Sequence, residues 1–234
     1  MRITGQAIVL VAIIILEGCV SDGGTRIDNI PMYGQPDIER PEMLKKADED
    51  FIDKAVRGIG SREEASKVWW HEAEKYMNAG NIDYAMRRYN QSWLLDPDNY
   101  QPYWGFARVM VAKHQYEESF TYFKKASELI NDPYEKPALL SDFAIAYHNK
   151  ANSLPTTAVE QRNKYYGLAN RYFEQATIAD PKYPKSWLKW AYSLYSQENY
   201  QESWDKIIIA QKLDSSIVPE DFISDLSAKM PEPK

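Results

Sequence analysis

Apolar and polar positions alternate along this chain with a helical period, and the pattern itself repeats. Small residues recur at Ala73, Ala107, Ala144 and Ala191. They recur again at Ala85, Ser119, Ala169 and Ser203, and a third time at Ser92, Ala126, Ala176 and Ala210. Large apolar or aromatic residues fill the positions between them. Ala73 and Ala107 are 34 residues apart. Self-similarity at this period predicts stacked units, each burying its apolar face only against its neighbours. Small residues suit such stacking because the side chains at a helix crossing set how closely the axes approach.

The elements follow from the same pattern. Leu44, Ala47, Phe51 and Ala55 fall on one helical face after Pro41, and Gly58 and Gly60 end that helix. Residues 41–60 are therefore expected to form an N-terminal capping helix. Ser61 and Glu64, three apart, form a capping box that opens the next helix and a repeat domain over 61–230. The units run over about 66–99, 100–133, 137–181 and 184–217, and a final helix over 219–229 covers the last of them. Ala191 lies 47 residues after Ala144, 13 more than the period, and the surplus is expected as a loop insertion at 151–161, where Pro155-Thr156-Thr157 sits.

In Trp69, Ala73, Tyr76, Gly80, Ala85, Tyr89 and Pro97 the first unit resembles the tetratricopeptide repeat (TPR) family. Tyr103, Phe106, Ala107, Ser119, Phe123 and Ala126 carry the likeness in the second unit. Leu140, Phe143, Ala144, Ala169, Phe173, Ala176 and Pro181 carry it in the third, and Trp187, Trp190, Ala191, Leu194, Ser203 and Ala210 in the fourth. The likeness covers about two thirds of the chain and implies an all-α superhelix of about four helix–turn–helix repeats. It also implies that the first helix of each unit lines a concave groove. Carried over position by position, the groove residues are Trp70, Glu74 and Met77; Trp104, Arg108 and Val111; Ser141, Ile145 and His148; and Leu188, Tyr192 and Tyr195. Aromatic and arginine side chains dominate binding hot spots, so this lining is expected to hold a peptide segment or protein. The same aromatics would alternatively fill the inside of a tight superhelix. Trp70 and Trp104 stand where some relatives place the lysine or asparagine of a carboxylate clamp.

The N-terminus reads differently. An apolar run from Ala7 to Leu16 follows Met1-Arg2, shorter than the roughly 20 residues of a membrane span. It fits the apolar region of a secretory signal over 1–18. Leu16-Glu17-Gly18-Cys19 resembles the bacterial lipobox, which implies lipid on Cys19, the only cysteine of the chain. Residues 19–40, with Gly23, Gly24, Pro31, Gly34 and Pro36, are expected as a flexible tether with a coil dimension of about 25 Å. With Val20 rather than Asp after the cysteine, the outer membrane, facing the periplasm, is the expected place.

Composition narrows the function. The net charge of -6 argues against nucleic acid as a partner, because phosphate binding needs a concentrated basic field. His71, His114 and His148 fall in different units without metal-ligand spacing, and no phosphate loop or nucleophile motif is present. No enzymatic activity, cofactor or metal is expected. The reading is a lipid-anchored envelope scaffold that binds an envelope protein or peptide in its groove, with roles in secretion or pilus assembly as one expectation. Two alternatives stand beside it: a self-associating structural lipoprotein, and a carbohydrate-binding module of the envelope.

Overall fold

A computed structural model describes residues 26–233. The expected signal segment and Cys19 lie outside the described residues. Ten α-helices run through the rest: α1 (Glu42–Ile59), α2 (Arg62–Asn78), α3 (Ile82–Leu95), α4 (Tyr100–Ala112), α5 (Tyr116–Leu129), α6 (Lys136–Ser153), α7 (Val159–Ala179), α8 (Pro184–Ser196), α9 (Tyr200–Leu213) and α10 (Glu220–Lys229). None of them is long and apolar enough to cross a membrane.

Local chemistry marks the boundaries. Ser61 accepts from the Glu64 amide at 3.1 Å and Asn99 from the Gln101 amide at 3.0 Å, so each satisfies a donor that the first turn leaves free. Gly60, at φ 125°, ends α1. The tight turns between α2 and α3, α4 and α5, and α8 and α9 each need a left-handed residue. Gly80 supplies the first at φ 73°, but His114 and Glu198 supply the others at φ 60° and 61°.

The helices pair as hairpins: α2 with α3, α4 with α5, α6 with α7, and α8 with α9. Between hairpins, α2 touches α4, α4 touches α6, and α6 touches α8, whereas α3, α5 and α7 join the next hairpin chiefly through its first helix, and α9 touches the single helix α10. The first helices therefore form an inner row and the second helices an outer row. The small residues sit at the crossings: Ala73, Ala85, Ser92, Ala107, Ser119, Ala126, Ala144, Ala169, Ala176, Ala191, Ser203 and Ala210 are all fully buried. The largest apolar cluster spans α2 to α7, and a separate one joins α8, α9 and α10.

Two expectations need correction. The 13 surplus residues of the third unit do not make a loop insertion. Past its small residue α6 runs four residues further than α4 does, α7 begins seven residues earlier than α5 does, and the connecting loop 154–158 is only two residues longer. The surplus lengthens the hairpin because its residues still pack: Tyr165 donates to Glu117 at 3.0 Å and Lys150 pairs with Glu117 at 3.1 Å. The second correction concerns the tether. From Arg26 onward it is not a free coil; it forms short 3-10 turns at Ile27–Asn29 and Pro31–Gly34, and these pack on α3. Pro31 and Tyr33 are buried there, and burial pushes the Tyr33 hydroxyl well above the usual phenol range.

Candidate functional site

The inner row places the sequence-predicted groove residues on α2, α4, α6 and α8, where they meet each other rather than open water. Trp70 and Trp104 are 9% and 8% exposed, with ring centroids 6.4 Å apart. The Trp104 indole donates to Asp142 Oδ2 at 3.0 Å, while the buried Trp70 Nε1 has no hydrogen-bond partner among the described residues. Ser141 is fully buried and bonds the Pro137 carbonyl and Ser186 Oγ, each at 2.7 Å. A free aromatic lining at Trp70 and Trp104 is therefore corrected: those rings fill the crossing of α2, α4 and α6. The physical reason is how tightly the stack closes around α4. From Tyr100 to Met110 every residue of α4 except Arg108 is buried, and a helix enclosed on all sides has no groove face left.

A ladder of charge runs along the same row. Arg108 Nη1 lies 2.7 Å from both carboxylate oxygens of Glu74. The Tyr89 hydroxyl also donates to Glu74. On its other side Arg108 Nε is 3.9 Å from Asp142 Oδ2, and Lys189 Nζ donates to Asp142 Oδ1 at 2.6 Å. Charges thus alternate as Glu74, Arg108, Asp142 and Lys189 across α2, α4, α6 and α8. Burial works against the Arg108 charge, but Glu74, Tyr89 and Asp142 more than offset it and raise its pKa further. Lys189, with a third of its side chain exposed, is the most open member.

The remaining predicted residues divide by position. Met77 and Val111 pack against the large cluster, Ile145 against the small one around Phe173, and Leu188 and Tyr195 against the C-terminal one. Tyr195 also meets the Phe222 ring at 5.5 Å. Tyr192 keeps 36% of its surface exposed and rests on Phe222 at 4.0 Å between centroids. His148 sits in a relay rather than on a surface. Asn152 Nδ2 lies 2.8 Å from His148 Nε2, and His148 Nδ1 lies 3.1 Å from Ser193 Oγ. The Tyr166 hydroxyl donates to Asn152 in turn. Burial pushes the His148 pKa down to about 4, so the ring is neutral at pH 7.

The accessible inner face therefore narrows to the open edge of the ladder and to α8, where Lys189 and Tyr192 stand three residues apart, within one helical turn. Asp142 and Lys189 were not among the predicted groove residues. Each falls one position after a predicted one, Ser141 and Leu188, and the signal that could have found them is the alternation of charge sign along the first helices.

No family model matches the sequence, and no curated protein matches it. Solved structures do. The Cut9–Hcn1 hetero-tetramer of the APC/C matches with a TM-score of 0.53 and 14% identity, over 81% of this chain and 32% of that one. A MamA RS-1 double mutant matches with a TM-score of 0.51 and 13% identity, over 73% and 84% of the two chains. YrrB, described as a TPR protein with an unusual peptide-binding site, matches with a TM-score of 0.48 and 16% identity, over 76% and 81%. Paired antiparallel helices, small residues at every crossing and the two neighbours with TM-scores above 0.5 agree: the chain has the tetratricopeptide-repeat fold.

Proposed function

We propose that this protein is a scaffold that binds a partner protein, held in the bacterial envelope by lipid on Cys19 and facing the periplasm, more specifically at the outer membrane. The observation that carries the binding reading is the open end of the inner row, where Lys189 and Tyr192 emerge from a face otherwise closed by its own contacts. An exposed aromatic beside a partly paired cation is the chemistry that anchors an acidic or amphipathic segment of a partner. The TPR architecture supports it, since a stack of hairpins offers an extended face and little else. Cut9, similar in fold, was solved with Hcn1 in a hetero-tetramer.

Cys19 supports the anchoring. An exported chain with one cysteine has no internal disulfide to make, and acyl chains on it contribute about 0.8 kcal/mol per buried methylene. Anchoring would also raise the effective concentration of scaffold and partner at the membrane without any new contact.

The test is affinity capture from crosslinked envelopes with wild type and with a Lys189→Glu/Tyr192→Ala variant. A protein recovered with wild type and lost with the folded variant supports capture at α8. An identical set of proteins from both sinks this site. Replacing Trp70 and Trp104 instead would test folding rather than binding, because both rings are interior.

A further inference from the structure

Asn90 of α3 is fully buried, and its amide is spent on the N-terminal segment. The Tyr33 amide donates to Asn90 Oδ1 at 3.3 Å, and Asn90 Nδ2 donates to the carbonyls of Asp28 and Ile30 at 3.0 and 2.9 Å. Arg87, one turn earlier on α3, donates to Asn29 Oδ1 at 3.0 Å and lies 3.4 Å from the Asp28 carboxylate. At the far end the Arg40 guanidinium stacks 3.9 Å from the Tyr33 ring centre and bonds Asp48 of α1 at 2.8 Å. Residues 26–40 are thus a strap fastened to the outer row of the stack.

The strap shortens the leash. Only residues 20–25 stand between Cys19 and Arg26, where the sequence had suggested a tether reaching to Arg40. Seven Cα steps span at most about 25 Å. A path from the outer row around two helix layers, each about 10 Å across, would consume nearly all of that reach.

We propose that the strap sets the orientation of the protein on a phospholipid surface: the outer face of the first two hairpins, α3 and α5, lies against the headgroups, and the inner face with Lys189 and Tyr192 points away. This rests on the reading that Cys19 carries lipid. Leash length, not charge, sets the orientation. The outer face mixes signs, with Asp83 and Arg87 on α3 and Lys124, Lys125 and Glu128 on α5.

The test uses the chain expressed from its full sequence. A water-soluble amine reagent is applied to isolated membranes and to the same protein after detergent extraction, and modified peptides are read by mass spectrometry. Lys124 and Lys125, exposed in the fold, should be modified several-fold less in membranes than in detergent, with Lys189 modified equally in both. High salt should leave that protection in place. A flexible Gly-Ser linker as long as the strap, inserted between Gly24 and Thr25, should abolish it, as should Asn90→Ala with Tyr33→Ala if the helical signal is retained. Equal modification of Lys124 and Lys125 in membranes and detergent, with lipid found on the Cys19 peptide, overturns the orientation alone. Protection that survives the long linker, or that salt removes, overturns the leash as its cause. A lipid-free Cys19 peptide overturns the anchoring reading and this proposal with it.

Discussion

The Tyr89 ring leaves Gly105 no room for a side chain. A Cβ at Gly105 would stand 2.3 Å from the ring carbons. The ring has nowhere to retreat, because its hydroxyl is tied to Glu74 and its face meets the Phe106 ring edge-on at 6.4 Å. Alanine is normally favoured over glycine inside a helix by up to ~1 kcal/mol. Overpacking costs about 1–3 kcal/mol and wins here. Gly105→Ala should lower stability by about 1–2 kcal/mol in urea denaturation, and a variant as stable as wild type would contradict the close approach of α3 to α4. His148 makes a second prediction at this scale. Burial among Asn152, Ser193 and the Tyr166 ring lowers its pKa from the ordinary 6.5 to about 4. Between those values the unfolded chain binds more protons, so its contribution to stability is present above pH 6.5 and is lost as pH falls towards 4. The loss is on the order of 3 kcal/mol. Asp48 works in the opposite sense. Burial raises its pKa to about 6 against the pull of Arg40, so its contribution to stability grows as pH falls through 6. The difference between wild type and His148→Gln isolates the histidine, and parallel pH profiles for the two proteins would refute its role.

Element by element, the left-handed turns separate a strained position from a relaxed one. Glu198 takes φ 61° at the turn from α8 to α9 and its side chain is exposed. A non-glycine residue in this region costs roughly 1–2 kcal/mol, offset in part by the greater chain entropy that glycine loses on folding. Glu198→Gly should therefore stabilise the protein by about 0.5–1 kcal/mol, seen as a higher thermal midpoint, and an unchanged or lower midpoint would mean the turn carries no strain. His114 is a poorer test, because its ring lies 2.9 Å from the Tyr116 hydroxyl and would be lost with the substitution. The hairpins were legible in the sequence because small residues must recur wherever helices cross. The third hairpin was legible only in part. The spacing from Ala144 to Ala191 shows that the period slips, and Pro155 shows where the chain turns, but neither says whether the extra residues coil or continue the helices. That choice is made by contacts such as Lys150 and Tyr165 with Glu117, which join elements far apart in sequence. The strap on α3 was hidden for the same reason: its Gly and Pro content reads as a coil, and Asn90 lies 57 residues from Tyr33.

Over the whole molecule, the groove shows what repeat position does and does not encode. Position within a unit indicates which helix face turns inward; it does not indicate how far the stack closes, and closure is what buries Trp70 and Trp104 while leaving Tyr192 open. Stability in such an array is nearly a sum of unit and interface terms. Here the terms are unequal. The large apolar cluster ties α2 through α7 together, whereas α8, α9 and α10 have a cluster of their own. The bonds between the two parts are mostly polar: Ser141 to Ser186 at 2.7 Å, Asp142 to Lys189 at 2.6 Å and His148 to Ser193 at 3.1 Å along the inner row, and from α7 Asn170 to Trp190 at 3.1 Å and to Gln197 at 3.0 Å, with the stacked rings of Phe173 and Trp190 at 6.1 Å. The C-terminal part should therefore open before the rest, as a cooperative unit of lower free energy. Amide hydrogen exchange at pH 7 should show α8–α10 exchanging faster than α3–α6. Asp142→Ala tests the coupling directly, because Asp142 accepts from Trp104 and Lys189 and faces Arg108. Removing it leaves a buried indole donor unpaired, a loss of about 1–3 kcal/mol. It also frees Lys189 from α6. Exchange in α8–α10 should then rise more than in α3, widening the gap between the two parts. Uniform acceleration across all helices would mean that the chain unfolds as one block and that the ladder does not hold two units together.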